Sequence, residues 1–256
     1  MASTEIHSLP VQELYSKWST SYDQERANNL RGLDDTGLET LLPKFTSLLV
    51  QSHGSSTGPL RVVDFGCGTG RNTLKLMAML PGAEIIGLDA TPAMLEVAER
   101  RCNQASSELP ANLLPGSLSF KVYNPLEKKM GVGTPVPGQA QGLISTLVIE
   151  HLPIAEFFKM CSEFVGPGGY VLATNAHEDL ARIARASIVD PETGALLWGE
   201  SHTHTNEAVK KEGAKWGFDL VEIQEGIPKD PNIVGPMRGH WDGVKCWVGF
   251  VLRRQN

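Results

Sequence analysis

Two aspartates, a run of alternating glycines and one histidine are the residues of this chain whose types and spacing best suit chemistry. The glycines stand in Val62-Val63-Asp64-Phe65-Gly66-Cys67-Gly68-Thr69-Gly70, where an apolar stretch runs through Asp64 into glycine at every second position. Such a stretch reads as a buried strand ending in a tight loop before a helix, expected here over Asn72 to Leu80. Glycine lets the backbone approach a ligand closely, because a side chain would fill the volume the ligand needs. The spacing G-x-G-x-G differs from the G-x-G-x-x-G that sets a pyrophosphate on helix amides. Asp64, two residues before the first glycine, would repel a pyrophosphate but could hold a ligand's ammonium group. A second apolar run, Glu84-Ile85-Ile86-Gly87-Leu88, ends at Asp89, where a carboxylate can accept hydrogen bonds from ribose hydroxyls. His151 follows a later apolar run. Imidazole titrates near neutrality and can take a proton from a hydroxyl nucleophile.

A nucleoside with an ammonium, a sulfonium and no phosphate fits these charges, and S-adenosylmethionine is such a molecule. At these residues the chain resembles the class I S-adenosylmethionine-dependent methyltransferases. Asp64 to Gly70 is similar to their first motif and Gly87-Leu88-Asp89-Ala90 to their second. Leu143 to Pro153, which contains Glu150-His151-Leu152-Pro153, resembles the fourth strand and following loop of the branch related to quinone-biosynthesis methyltransferases. Val165-Gly166-Pro167-Gly168-Gly169-Tyr170 is similar to the family's turn into strand five.

The resemblance extends over most of the chain. It implies an α/β fold, a Rossmann-like doubly wound sheet of seven strands in the order 3-2-1-4-5-7-6, with the last strand antiparallel. It implies S-adenosylmethionine as cofactor and a small organic molecule as methyl acceptor. Cofactor contacts are expected from Asp64, Gly66, Cys67, Gly68, Gly70 and Asp89. Ala90 and Met94 would flank the adenine, and Leu147 and Val148 would lie near the methionine portion. Relatives commonly carry an acidic residue after strand three. This chain has Asn124, whose carbonyl oxygen could accept the adenine's amino hydrogen, with Leu126 as an apolar contact to the base.

The elements that must position these residues alternate in period. Val11 to Tyr22 and Leu38 to Val50 read as N-terminal helices, and Gln51 to Pro59 as a connector. Thr91 would cap a helix with Pro92 at its first position, running to about Gln104. Leu118 to Tyr123 is the third strand, Gly131 to Gln141 a loop, Ile154 to Phe164 a helix and Gly169 to Thr174 the fifth strand. Asn206 to Trp216 is a further helix, and Phe218 to Gln224 and Val244 to Leu252 close the sheet. One domain over 1–256 is expected, with N-terminal helices over 1–58, a cofactor core over 59–175, an insertion over 176–201 and a C-terminal part over 202–256. The insertion would wall the acceptor pocket, since ligands bind beyond the carboxyl ends of such strands.

Tyr15, Trp18 and Tyr22 fall on one helical face and are either core packing or, as the family resemblance implies for Tyr15 and Tyr22, cover for the cofactor. His151 is either a base or only fixes its loop. His177, just after strand five, is an acceptor-site candidate. His202 and His204 make an H-x-H pair without a completing ligand set, so no metal is expected; Thr203 or Thr205 would cap the next helix, and His204 could line the pocket. Met237 to Trp241 is either a pocket rim or a solvated loop.

The net charge of -6 argues against nucleic-acid capture, which needs a basic surface. No run approaches the ~18 apolar residues of a membrane span. Four scattered cysteines suit a reduced, cytoplasmic protein. Oxygen is the first choice of acceptor atom, with nitrogen and sulfur open. A cofactor-binding or apolar-substrate protein that transfers no methyl, such as one assisting a cyclisation, is the rival reading.

Overall fold

The computed structural model describes residues 6–19, 22, 29–54, 58–127, 136, 139–183, 187–189, 193, 195–228 and 243–256. The chain begins with strand β1 (Ile6–Leu9) and helices α1 (Val11–Trp18) and α2 (Asn29–His53). It then alternates β2 (Arg61–Phe65), α3 (Arg71–Met79), β3 (Glu84–Asp89), α4 (Pro92–Glu108), β4 (Ser117–Val122), β5 (Ala140–Thr146), α5 (Ile154–Phe164) and β6 (Val165–Ala176). A short α6 (Glu178–Ala181), β7 (Ser187–Val189) and β8 (Leu196–Gly199) precede α7 (Asn206–Lys215), β9 (Phe218–Gly226) and β10 (Trp247–Arg254).

Seven strands form one sheet in the order β4-β3-β2-β5-β6-β10-β9, with β10 antiparallel to both its neighbours. Counted within this sheet, that is the expected 3-2-1-4-5-7-6. The central strands are apolar on both faces because helices cover both. On one face Val62, Ile85, Ile144, Leu172 and Val251 pack with Leu41, Phe45 and Leu49 of α2 and Leu76 of α3. On the other, Val63, Ile86, Leu143, Val171 and Phe250 pack with Phe157, Phe158 and Cys161 of α5.

Helix α2 begins nine residues before the expected Leu38. Gly32, Asp34 and Gly37 are weak helix formers, and tertiary bonds override their propensity. Asp34, fully buried, accepts hydrogen bonds from Trp247 Nε1 at 2.8 Å and Thr174 Oγ1 at 2.5 Å, and pairs with the Arg71 guanidinium. One carboxylate thereby joins α2, α3, β6 and β10.

Other boundaries shift for local reasons. Strand β6 starts at Val165, ahead of the Pro-Gly-Gly signal, because Val165 pairs with Ala140 before a register shift. Helix α4 runs to Glu108, past Gln104. Thr91 occupies its cap position without a side-chain capping bond, its N–H donating instead to Asp89 Oδ1 at 2.8 Å. Helix α1 stops at Trp18, with Tyr22 N–H still bonded to the Trp18 carbonyl at 2.8 Å. Ser21, Asp23, Met237 to Trp241, and Gly131 to Gln141 apart from 136 and 139–141 lie outside the described residues.

A second sheet, order β1-β8-β7, was not expected. Its strands have three or four residues each, too few to show a period. β8, from the 176–201 insertion, runs parallel to β1 with Ile6 opposite Leu196, and Leu197 packs with Leu14 and Trp18 of α1. Among the described residues no helix is long and apolar enough to cross a membrane.

Asp64 lies within β2, 2% exposed, and accepts from Thr73 Oγ1 at 2.6 Å. Burial pushes its carboxyl up to about 6, against the Thr73 bond and the Arg71 charge. The native pKa thus stands above the unfolded value of about 3.9, so this group's contribution to stability is full below pH ~4 and is lost as pH rises through 6.

Two outcomes follow. Asp34→Ala leaves Thr174 and Trp247 without their shared acceptor and the part-buried Arg71 with Asp35 alone, and should cost about 2–4 kcal/mol in urea unfolding. For Asp64→Asn, urea stability measured against wild type should shift in the variant's favour by about 2–3 kcal/mol between pH 4 and 7. A difference independent of pH would show that this carboxyl does not titrate from a buried state.

Candidate active site

A cavity of about 280 Å³ opens at the carboxyl ends of the central strands. Gly66 and Gly68 follow β2, Asp89 and Ala90 end β3, Asn124 follows β4, and Leu147 and Val148 follow β5 on its walls. Met94 lines it from α4, and Leu126 from the turn after β4. Tyr15, Gln12 and Tyr22 cover it from the N-terminal segment, with Glu200 and His202 from the stretch after β8.

The glycine loop is held by backbone groups. Gly66 and Cys67 N–H both donate to the Leu88 carbonyl, at 2.7 and 3.0 Å. Gly66 has φ 70°, and a Cβ there would stand 2.3 Å from Val148 Cγ2. Gly68 has φ 54°, and a Cβ there would meet no protein atom within 4 Å, so the loop presents bare backbone to open space. Gly68 N–H donates to Asp89 Oδ2 at 2.9 Å, while Oδ1 takes the Thr91 amide. Each carboxylate oxygen keeps a lone pair for a ligand hydroxyl. Burial raises the Asp89 pKa, while the Thr91 and Gly68 bonds and nearby His151 pull it down. Bare backbone beside an anchored carboxylate suits the ribose-bearing cofactor S-adenosylmethionine.

Asn124 Oδ1 accepts the Leu126 N–H at 3.0 Å, closing a turn, and its Nδ2 donates to Glu127 at 3.2 Å. Gln12 of α1 donates to the same Glu127 oxygen at 3.0 Å, tying the roof to this loop. Leu147 has φ 57°, the one positive value at a non-glycine among the described residues. That conformation costs about 1–2 kcal/mol. It is held by the Leu147 N–H bond to the Thr174 carbonyl at 2.9 Å.

His151 sits in a 3₁₀ turn after β5. Its Nε2 lies 2.9 Å from the Tyr15 hydroxyl and its Nδ1 3.3 Å from the Glu200 carbonyl. The Glu150 carboxylate lies 3.7 Å from Nε2, its pKa raised by burial and lowered by His151. The Tyr15 ring stacks on Trp18, with centroids 5.7 Å apart, and meets His151 edge-on at 5.4 Å.

Asp64, Cys67, Gly70 and His177 do not line the cavity. Gly70, φ 83°, caps α3, and the buried Cys67 thiol has its pKa raised by burial and then by Asp64 and Asp89. His177 caps α6: its Nδ1 accepts the Asp179 N–H at 3.1 Å, so Nε2 carries the hydrogen facing Glu225 at 3.2 Å. His202 lines the cavity, and its N–H donates to the Glu150 carbonyl at 2.6 Å. His204 instead bonds the Leu152 carbonyl at 2.8 Å, and Thr205 caps α7 through Ala208 N–H at 3.0 Å. Among the described residues no three His, Cys, Asp or Glu side chains cluster as metal ligands.

Sequence reasoning missed Gln12, Glu150 and Glu200. Glu200 acts through its carbonyl, and every residue has one. Gln12 and Glu200 flank β1 and β8, whose pairing accompanies their place at the cavity.

Residues 62–169 match a family described as "Methyltransferase domain". The chain is 36% identical to an uncharacterized methyltransferase of Emericella nidulans, over 96% of this chain and 91% of that protein. It is 26% identical to a ubiquinone biosynthesis O-methyltransferase of Azorhizobium caulinodans, over 71% of this chain and 65% of that protein. A geranyl diphosphate C-methyltransferase of Streptomyces coelicolor shares the fold, with TM-score 0.60 at 14% identity, over 96% of this chain and all of that one. Glycine loop, anchored Asp89, strand order and near full-length likeness converge: the chain belongs to the class I S-adenosylmethionine-dependent methyltransferases.

Proposed function

We infer that the enzyme methylates a hydroxyl oxygen of a small organic acceptor, with His151 serving as the general base. The reading rests on one observation: an imidazole at the cavity wall whose Nε2 faces a hydroxyl at 2.9 Å, beside the carboxyl ends of β2 and β5. A neutral hydroxyl is a weak nucleophile with a pKa far above seven, so removing its proton as the new bond forms lowers the barrier. The likeness of Leu143 to Pro153 to the quinone-biosynthesis branch and the oxygen named in the Azorhizobium relative support oxygen as the acceptor atom.

S-adenosylmethionine supplies an electrophilic methyl carbon on a positively charged sulfur, and alignment and exclusion of water fall to the chain. Asp89 receives the ribose hydroxyls, and Gly66 and Gly68 give backbone clearance. Ala90 and Met94 flank the base, Asn124 Oδ1 takes its amino hydrogen on the remaining lone pair, and Leu126 covers it. Leu147 and Val148 face the methionine portion, and Tyr15 and Tyr22 close the site from above. Asp64 and the adjoining Cys67 and Gly70 act from behind the wall, setting charge and loop shape.

Incubation with methyl-labelled cofactor and a metabolite extract, followed by mass analysis, should reveal a product heavier by one methyl in place of one hydroxyl hydrogen. A labelled amine or thiol would overturn the oxygen assignment. Asp89→Ala should weaken S-adenosylhomocysteine binding about 10–100-fold by calorimetry, the loss of hydrogen bonds to a charged acceptor. His151→Asn should lower kcat roughly 10²–10⁴-fold on the labelled acceptor while leaving that affinity intact. Equal rates in the two proteins would retire the base.

A further inference from the structure

In the neutral His151 ring that a base requires, the hydrogen bonds leave one arrangement of protons. The Glu200 carbonyl beside Nδ1 can only accept, so the ring hydrogen is on Nδ1 and Nε2 carries the lone pair. The Tyr15 hydroxyl must then donate to Nε2. This bond takes up the very lone pair a base would use, and both side chains lie on the cavity wall. An acceptor hydroxyl on that wall finds the direction of the lone pair filled by the Tyr15 oxygen, which keeps its own lone pairs free to accept.

We propose that Tyr15 is a catalytic residue that takes the acceptor's proton and passes its own to His151, a role that rests on the O-methylation reading above. The step balances. The acceptor oxygen's electron pair forms the new bond to the methyl carbon, and the pair of the carbon–sulfur bond stays on sulfur and cancels its charge. The acceptor's proton moves to Tyr15 Oη as the phenol's proton moves to Nε2. Tyr15 ends neutral and His151 ends as imidazolium, held by the Glu200 carbonyl at Nδ1 and by the Glu150 carboxylate 3.7 Å from Nε2.

Burial, then Tyr22, Glu150 and Asp89, hold the Tyr15 phenol well above its usual range. A standing phenolate is therefore disfavoured, and the two proton movements go together. The stack on Trp18 and the edge contact with His151 fix the ring without its hydroxyl, so Tyr15→Phe removes the proton path and keeps the packing.

The test uses the full chain saturated with S-adenosylhomocysteine and labelled with ¹⁵N-histidine. In the wild type, NMR should show His151 protonated on Nδ1 with a hydrogen-bonded Nε2. In Tyr15→Phe the Nε2 resonance should move to the position of a free imine nitrogen, with S-adenosylhomocysteine affinity within about threefold of wild type. A wild-type ring protonated on Nε2, or an Nε2 signal indifferent to Tyr15→Phe, would overturn the relay. On the acceptor found by labelling, kcat of Tyr15→Phe should fall roughly 10²–10³-fold, with a linear proton inventory where the wild type is curved. If Tyr15→Phe keeps its rate while His151→Asn loses it, the relay is wrong and direct base catalysis stands. If both keep their rates, the base reading itself falls.

Discussion

The pairing of β2 with β3 does not end where the strands do, and the site depends on its continuation. Phe65 stands opposite Leu88 in the parallel ladder, and the next two amides, Gly66 and Cys67, converge on the Leu88 carbonyl. One residue further, the Gly68 amide closes on the Asp89 carboxylate. The turn is thus drawn across the tip of β3, with its open side toward the cavity. Glycine is favoured at 66 because Val148 leaves no space for a side chain, and at 68 because its φ of 54° lies in the left-handed region although the space beside it is open.

Above this floor, the roof is assembled from segments far apart in the chain. Helix α1 is fixed near its start through Gln12 to Glu127 beside the Asn124 turn and at its middle through Tyr15 to His151. The stretch after β8 adds Glu200 and His202, each bonded to the 3₁₀ turn that carries His151. One turn of α1, Gln12 to Tyr15, is thereby tied both to the Asn124 loop and to the imidazole, which is bonded by both roof segments.

The large sheet was legible in the sequence because its strands are apolar runs bounded by glycine and proline, and the motifs order them. Gly66, Gly68 and Asp89, which line the cavity, stand at the ends of those same runs, whereas Asp64, Cys67 and Gly70, equally marked by the motif, do not line it. The small sheet was hidden by strand length, and the first turns of α2 by helix-averse residues among which Asp34 is held by partners outside the helix, Arg71, Thr174 and Trp247. His177 shows a limit of a different kind. Its place after the fifth strand suggested the acceptor pocket, but its Nδ1 caps α6 while Nε2 faces Glu225, and nothing in the local sequence distinguishes a capping imidazole from a substrate-facing one. The strained Leu147 likewise has no sequence signature, since its conformation is imposed by Thr174 on the neighbouring strand.

Ile6 and Leu196 face each other across the small sheet, so that contact encloses nearly the whole core between its partners. Contacts of such separation carry a large loop-closure entropy and form readily only once intervening structure has shortened the distance. The covering layer is therefore expected to join late in folding, after the strand tips that carry Gly68 and Asp89 have come together.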